Sequence, residues 1–167
     1  MRWMRSELDT PMGNLCAITH HDTLIALSWL DRMDATAEHL KRHRPAARLE
    51  VGPVPETVDW ALKQYFSGDP AALGSLRIDP PGTDFQRAVW HTLRTIPFGT
   101  VISYAELAQL IHRPSAVRAV ANANGRNPIP IAIPCHRVIA TGGALGGFSS
   151  GLKRKQWLLR HENFLTG

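Results

Sequence analysis

Residues 79–125 read DPPGTDFQRAVWHTLRTIPFGTVISYAELAQLIHRPSAVRAVANANG, and the order of chain breakers and helix starts in this stretch decides how the protein is built. Asp79-Pro80-Pro81-Gly82 is a linker, because two prolines remove amide donors and fix their own φ while the glycine lets the chain turn. Directly after it, Thr83 stands three residues before Gln86, and further on Ser103 stands three before Glu106. Each pair fits a capping box, in which a hydroxyl and a longer side chain reciprocally satisfy free amides of a helix's first turn. Ser115, following Pro114, is a third N-cap candidate. Helices are therefore expected at about 84–95, 104–111 and 115–123, the last ended by Asn124-Gly125. The second and third, joined by a His-Arg-Pro turn, have the arrangement of a helix-turn-helix, whose second helix can enter a DNA groove. Short helix pairs also pack inside many cores, so this pattern alone leaves both readings open.

Upstream of the linker the texture differs. Short apolar runs alternate with turn residues: Leu15–Thr19 reads as a strand, His20-His21-Asp22 as a turn and Leu24–Leu30 as a second strand, which together make a small antiparallel sheet. A polar helix fits between Ala35 and His43, and the proline-rich residues 45–55 break the pattern. Ala61, Leu62, Tyr65 and Phe66 recur on one helical face, so 56–67 should be an amphipathic helix closed by Ser67-Gly68. Two domains follow, an α/β domain over 1–80 and a mainly α domain over 81–167.

The 167 residues, 44% hydrophobic and 20% charged, are enough for a real core. No apolar run reaches the roughly 20 residues of a membrane span, and MRWMRSELDT has no signal-peptide character, so a cytoplasmic location is the default and no membrane partner is expected. Cys16 and Cys135 are the two cysteines, which argues against a disulfide framework. His20 and His21 near Cys16 lack the ligand spacing of a structural zinc site, and no metal is expected. Residues 84–167 carry ten basic and three acidic side chains and residues 1–83 nine and eleven, so the second half is +7 and the first −2. That asymmetry fits a polyanionic partner for the second half, and equally a solvated basic face.

The chemistry concentrates in Asn127-Pro-Ile-Pro-Ile-Ala-Ile-Pro-Cys-His-Arg-Val-Ile139, where a strand-like apolar run delivers a cysteine followed by histidine and arginine. A thiol is sluggish at its free pKa near 8.5, and a neighbouring base or positive charge raises its thiolate fraction. His136 and Arg137 are placed in sequence to do this. Adjacent residues on a strand face opposite ways, however, so adjacency alone makes no dyad, and an inert buried cysteine remains the rival reading.

Pro134-Cys135-His136-Arg137-Val138 resembles the signature of the O6-alkylguanine-DNA alkyltransferases, also called methylated-DNA–protein-cysteine methyltransferases. Phe85–Trp90, Ile96-Pro97-Phe98-Gly99, Ser103-Tyr104, Ala116–Val120, Asn127-Pro128 and Trp157–Glu162 resemble further elements of that family in the same order. Similarity is strong over 83–164 and looser over 1–80, where Thr10-Pro11-Met12-Gly13 and Tyr65-Phe66-Ser67-Gly68 still look like bacterial members. The resemblance implies a ribonuclease-H-like first domain and a winged helix-turn-helix-like DNA-binding element in the second. It implies a monomer acting on double-stranded DNA without a cofactor, taking alkyl groups from O6-alkylguanine, and from O4-alkylthymine, in a single irreversible turnover.

By the same resemblance Cys135 is the acceptor nucleophile, and His136, oriented by Glu162 and working through a water, takes its proton. Asn127 holds the turn, Tyr104 donates to the departing guanine ring and Ser149 bonds O6. The carbonyls of Cys135 and Val138 accept from the exocyclic amine, Phe148 forms a pocket wall, and Arg118 fills the stack that the extruded nucleotide leaves. Extrusion is required because an O6 substituent inside a duplex is out of a thiolate's reach. Lys153, Arg154 and Lys155 read either as phosphate contacts or as a solvated face. Phe148 replaces a frequent tyrosine, and Ser150 a frequent glycine, which bears on the size of alkyl group accepted. Three rivals remain: a non-catalytic alkyltransferase-like sensor, which would carry tryptophan in place of Cys135; a helix-turn-helix regulator, which leaves Cys135, His136 and Glu162 unexplained; and a cysteine hydrolase, which would turn over repeatedly and need an oxyanion site.

Overall fold

Arg2–Thr10 forms a strand, β1, on which Trp3, Ser6 and Leu8 are buried and Arg2, Glu7 and Asp9 exposed. It turns through Pro11-Met12 into β2 (Gly13–His20), which turns again into β3 (Thr23–Trp29), and the three pair antiparallel. The computed structural model that shows this describes residues 1–69 and 71–164, and the chain divides into two compact units, Met1–Pro81 and Gly82–Gly167.

Helix α1 (Met33–His43) carries the chain back so that β4 (Arg48–Val51) lies parallel to β1. After α2 (Glu56–Phe66), β5 (Arg77–Ile78) lies parallel to β3. The sheet order is β4-β1-β2-β3-β5. The expected small antiparallel sheet is thus corrected to a mixed one, because the edge strands arrive after helical crossovers rather than tight turns. Both edges escape the sequence pattern: β5 is two residues long, and all four residues of β4 are exposed, which leaves no alternation to see. In contrast, β2 and β3 are buried almost end to end, the profile of strands covered on both faces.

The second unit opens with α3 (Asp84–Leu93), whose capping box forms in both directions: Gln86 N–H donates to Thr83 Oγ1 at 3.1 Å, and Thr83 N–H to Gln86 Oε1 at 3.0 Å. Trp90 is fully buried and its Nε1–H donates to Ala123 O at 2.8 Å, which ties α3 to α5 (Val117–Gly125). Before α5, Ser103 caps α4 (Tyr104–Leu110) by accepting from Glu106 N–H at 3.0 Å, while the Glu106 carboxylate accepts from the Ser103 hydroxyl instead of the backbone. Ser115 is not a cap. It lies in the turn closed by Ala116 N–H donating to Arg113 O, and α5 begins two residues later with no side-chain cap.

A two-stranded parallel pair, β6 (Ile102–Ser103) with β7 (Val138–Ile139), and the helix α6 (Leu152–His161) complete the unit. The expected strand before Cys135 is a buried chain of turns: among residues 126–134 a single isolated bridge joins Pro130 and Ile133. Among the described residues no helix is long and apolar enough to cross a membrane.

Candidate active site

Cys135, His136 and Arg137 form one turn of 3-10 helix running into β7, so the opposite-face rule for strands does not apply and all three are buried. The entry to this turn is set by proline. Pro134 has φ −80 and ψ 63, an inverse γ-turn, closed by Cys135 N–H donating to Ile133 O at 2.8 Å. Three residues earlier Ile131, fully buried and β-branched, takes φ 76, a left-handed conformation that costs on the order of 1–3 kcal/mol. Asn127 holds this strained loop at two points: its Nδ2 donates to Ile133 O at 2.7 Å and its Oδ1 accepts from Ile129 N–H at 2.9 Å.

Burial pushes the Cys135 thiol up to about 11, against the pull of the Asn127 side chain and the charge of Lys155. At neutral pH it is therefore a thiol, and its use as a nucleophile requires a base. His136, the next residue, has the chemistry of one. Burial lowers its pKa, partly offset by Glu162, so the ring is neutral. Its Nε2 lies 2.7 Å from Glu162 Oε2. Burial alone would push Glu162 up, but the hydrogen bonds and charges of His136 and Arg137 outweigh it and hold the carboxyl down at about 2. An ionised carboxylate only accepts, so the proton of the ring sits on Nε2. His136 Nδ1 is then a bare acceptor, buried and without a hydrogen-bond partner among the described residues.

Arg137 has a different task from the one its place in the sequence suggests. It does not serve the thiol; its Nε donates to Glu162 Oε1 at 2.7 Å, one terminal nitrogen to Oε2 at 3.1 Å and the other to Ile96 O at 2.7 Å. A bidentate fork of this kind fixes a carboxylate's orientation as well as its charge.

Lys155 is likewise corrected: neither a phosphate contact nor part of a solvated face, it is fully buried. Its ammonium donates to Val138 O at 2.7 Å, to Gly147 O at 3.1 Å and to Leu145 O, stitching β7 to the loop that follows it. Burial pulls its pKa down to about 8, opposed by Cys135. Lys155, Leu158 and Leu159 are the buried residues of α6, and Glu162 caps its end on the same face. A lysine and a glutamate in register with a leucine stripe are the signal that marks both as buried.

Tyr104, Asn124, Gly147, Phe148 and Ser149 line a cavity of about 230 Å³. Burial raises the Tyr104 pKa, and Cys135 adds to it, so the phenol is close enough to feel the thiol. Gly146 takes φ +72, and a Cβ there would stand 3.3 Å from the Tyr104 hydroxyl, so both backbone and space call for glycine. Ser150, buried, does not have positive φ; the left-handed positions around it are Gly146 and Gly151. Arg118 is exposed in the first turn of α5. The structure thus gathers Cys135, His136, Asn127 and Glu162 in one buried cluster and Tyr104, Phe148 and Ser149 around one cavity. Val138 contributes a carbonyl already engaged by Lys155, and Arg118 stands at the surface.

A neutral histidine held by a carboxylate, directly after a buried thiol in the chain, is an arrangement suited to thiol chemistry. Residues 84–164 match the family model described as 6-O-methylguanine DNA methyltransferase, DNA binding domain. The chain is 41% identical to the methylated-DNA–protein-cysteine methyltransferase of Salmonella typhimurium over 99% of its own length and 98% of that protein, and 44% identical to that of Haemophilus influenzae over 92% and 82%. A crystal structure of Mycobacterium tuberculosis OGT in complex with DNA superposes with a TM-score of 0.79 at 36% identity, covering 95% of this chain and 92% of that one. The chain belongs to the methylated-DNA–protein-cysteine methyltransferase family.

Proposed function

We propose that the protein repairs DNA by direct reversal, with Cys135 as the acceptor in a single, irreversible alkyl transfer from O6-alkylguanine, and also from O4-alkylthymine. The observation that carries the assignment is the buried His136–Glu162 hydrogen bond directly after the buried Cys135 in a chain of this family, with the histidine's other nitrogen left as an acceptor. A water between the thiol and His136 Nδ1 relays the proton. Sulfur then bonds the alkyl carbon, the carbon–oxygen bond breaks, and its electron pair stays with the guanine oxygen. Tyr104 donates to the ring as this charge develops, and Ser149 bonds O6. The Cys135 and Val138 carbonyls receive the exocyclic amine, and Phe148 walls the cavity. The product is a thioether, which has no good leaving group, so the thiol does not return and one molecule repairs one lesion.

Double-stranded DNA is the partner of the second unit. Arg113, Arg118 and Arg126 are exposed on and around α5, and the helix pair α4 and α5 with β6 and β7 nearby supports a winged helix-turn-helix-like reading. Arg118 enters the base stack in place of the extruded nucleotide. The first unit, over about 1–80, is a support; its β1–β2–β3 meander followed by α1 and a parallel β4 is what favours a ribonuclease-H-like description. All groups in the mechanism come from one chain, which favours a monomer, and two free cysteines suit a cytoplasmic, reducing setting. The sensor alternative is disfavoured by Cys135 itself.

The test is intact-protein mass spectrometry after mixing with excess duplex containing O6-methylguanine, followed by peptide mapping. One added methyl group on Cys135, with guanine restored, is expected. An unmodified protein that still binds the lesion would return the sensor reading.

A further inference from the structure

Asn124 ends the buried side of α5 and is 4% exposed, yet it lines the cavity beside Tyr104 and Ser149. Its Nδ2 lies 3.4 Å from Cys135 O, which fixes the orientation of the amide, since the opposite one would set two acceptors against each other. Its Oδ1 is thereby directed elsewhere and has no hydrogen-bond partner among the described residues. Leaving such an oxygen buried and unmatched is destabilising. Packing does not require it, because the other buried positions of the same helix, Val120 and Ala123, carry side chains that need no partner. The two carbonyls named for the exocyclic amine, each with two lone pairs, already accept bonds, Cys135 O from Val138 N–H and Val138 O from Lys155, whereas Asn124 Oδ1 accepts none among the described residues. An unmatched amide oxygen on a residue that lines a cavity is an acceptor a ligand donor can satisfy once the ligand seats there.

The chemistry of an extruded O6-alkylguanine offers one. Alkylation at O6 removes the hydrogen from N1, so the 2-amino group is the remaining donor on that edge of the base. O4-alkylthymine carries a carbonyl oxygen, O2, at the equivalent position, and two acceptors repel. Resting on the transferase reading above, we infer that Asn124 is a specificity-determining residue whose Oδ1 accepts a hydrogen bond from the 2-amino group and so favours alkylated guanine over alkylated thymine. Because an amine has two hydrogens, it engages Asn124 while still meeting a backbone carbonyl. A site built around a donor discriminates strongly against an analogue lacking it.

The experiment is single-turnover transfer by the full chain from duplexes holding O6-methylguanine, O6-methylhypoxanthine, which lacks the 2-amino group, or O4-methylthymine. The unaltered protein should react with methylguanine roughly tenfold faster than with methylhypoxanthine. In Asn124→Ala that preference should collapse through loss on methylguanine alone, and the gap to methylthymine should narrow. The ratio is read within one variant, so a reduced folded fraction does not affect it, and Asn124→Leu, closer in volume, is read the same way if the alanine variant is unstable. Equal loss on both purines would make Asn124 a mere support of the Cys135 turn, and absence of a purine preference in the unaltered protein would also overturn the inference. Failure to methylate Cys135 from any of the three would instead bring down the transferase reading, and this inference with it.

Discussion

Two cysteines lie equally deep in this chain, Cys16 at 1% exposure and Cys135 at 2%, and burial pushes both thiols up. Depth therefore does not distinguish them; the company does. Cys16 is packed among Trp3, Ile18, Ile25 and Leu40, and the charges that reach it, Arg5 and Glu7, sit on side chains 40% and 56% exposed. Around Cys135 the core is polar. Among the described residues the buried lysine, arginine, glutamate and histidine, Lys155, Arg137, Glu162 and His136, all belong to the second unit, whereas the buried residues of the first with polar or charged side chains are Ser6, Thr19 and Ser28. One unit packs a thiol into an apolar core with solvent-exposed charges at its rim, and the other surrounds a thiol with a buried histidine and the buried groups that hold it in place. A buried cysteine becomes chemistry when the fold accepts the cost of burying its charges too.

The contrast can be broken most severely by exchanging sulfur for oxygen. Cys135→Ser should abolish alkyl uptake as read by mass while leaving lesion binding in place, whereas Cys16→Ser should keep stoichiometric uptake and lose at most about 1–3 kcal/mol of stability from an unmatched hydroxyl. Next in size is Glu162→Gln. It leaves the Arg137 guanidinium without its counter-charge, which should cost roughly 3–5 kcal/mol in denaturant unfolding, and should slow transfer as His136 loses its orientation. The charge has a pH signature too. Because Glu162 is held at about 2 against an ordinary 4.5, its stabilisation is complete above that ordinary value and fades as pH falls toward 2, and this acid-limb dependence should weaken in the glutamine variant.

A smaller effect is expected from Arg118→Ala, on the order of tenfold slower repair in duplex DNA, where unstacking costs a few kcal/mol, with little change toward free O6-benzylguanine. Equal slowing on both would remove Arg118 from the base stack. The mildest is a pH limb: Lys155 loses its charge as pH rises through about 8, and that charge favours the thiolate. Single-turnover rates should hold level through neutral pH, where His136 is neutral, and decline above 8; a flat alkaline profile would separate Lys155 from the thiol.

The helical half was legible because its signals are local. Thr83 with Gln86 and Ser103 with Glu106 lie three residues apart and need only their own first turn to act. β4 and β5 depend on partners far along the chain and are too short or too exposed to carry a period. The run before Cys135 looked like a strand because every residue from 127 to 134 is buried; prolines and the Asn127 side chain, not a ladder, satisfy its backbone. The roles expected of Cys135, His136 and Glu162 come from the family resemblance, but sequence position points Arg137 at the thiol, and leaves Lys155 as a phosphate contact or a solvated face, where the structure gives them Glu162 and backbone carbonyls. Composition cannot show which positive charges find carbonyls and a carboxylate inside.

The loop 127–137 and the end of α6 are separate stretches that meet only when the second unit is folded, through His136, Arg137 and Glu162. A chain that has lost this junction has lost its base, and one that keeps it accepts a single alkyl group. Counting labelled alkyl groups therefore takes a census of native molecules: in a mixed or ageing preparation, the label taken up per mole of protein is the fraction whose second unit still stands, obtained without any spectroscopic probe.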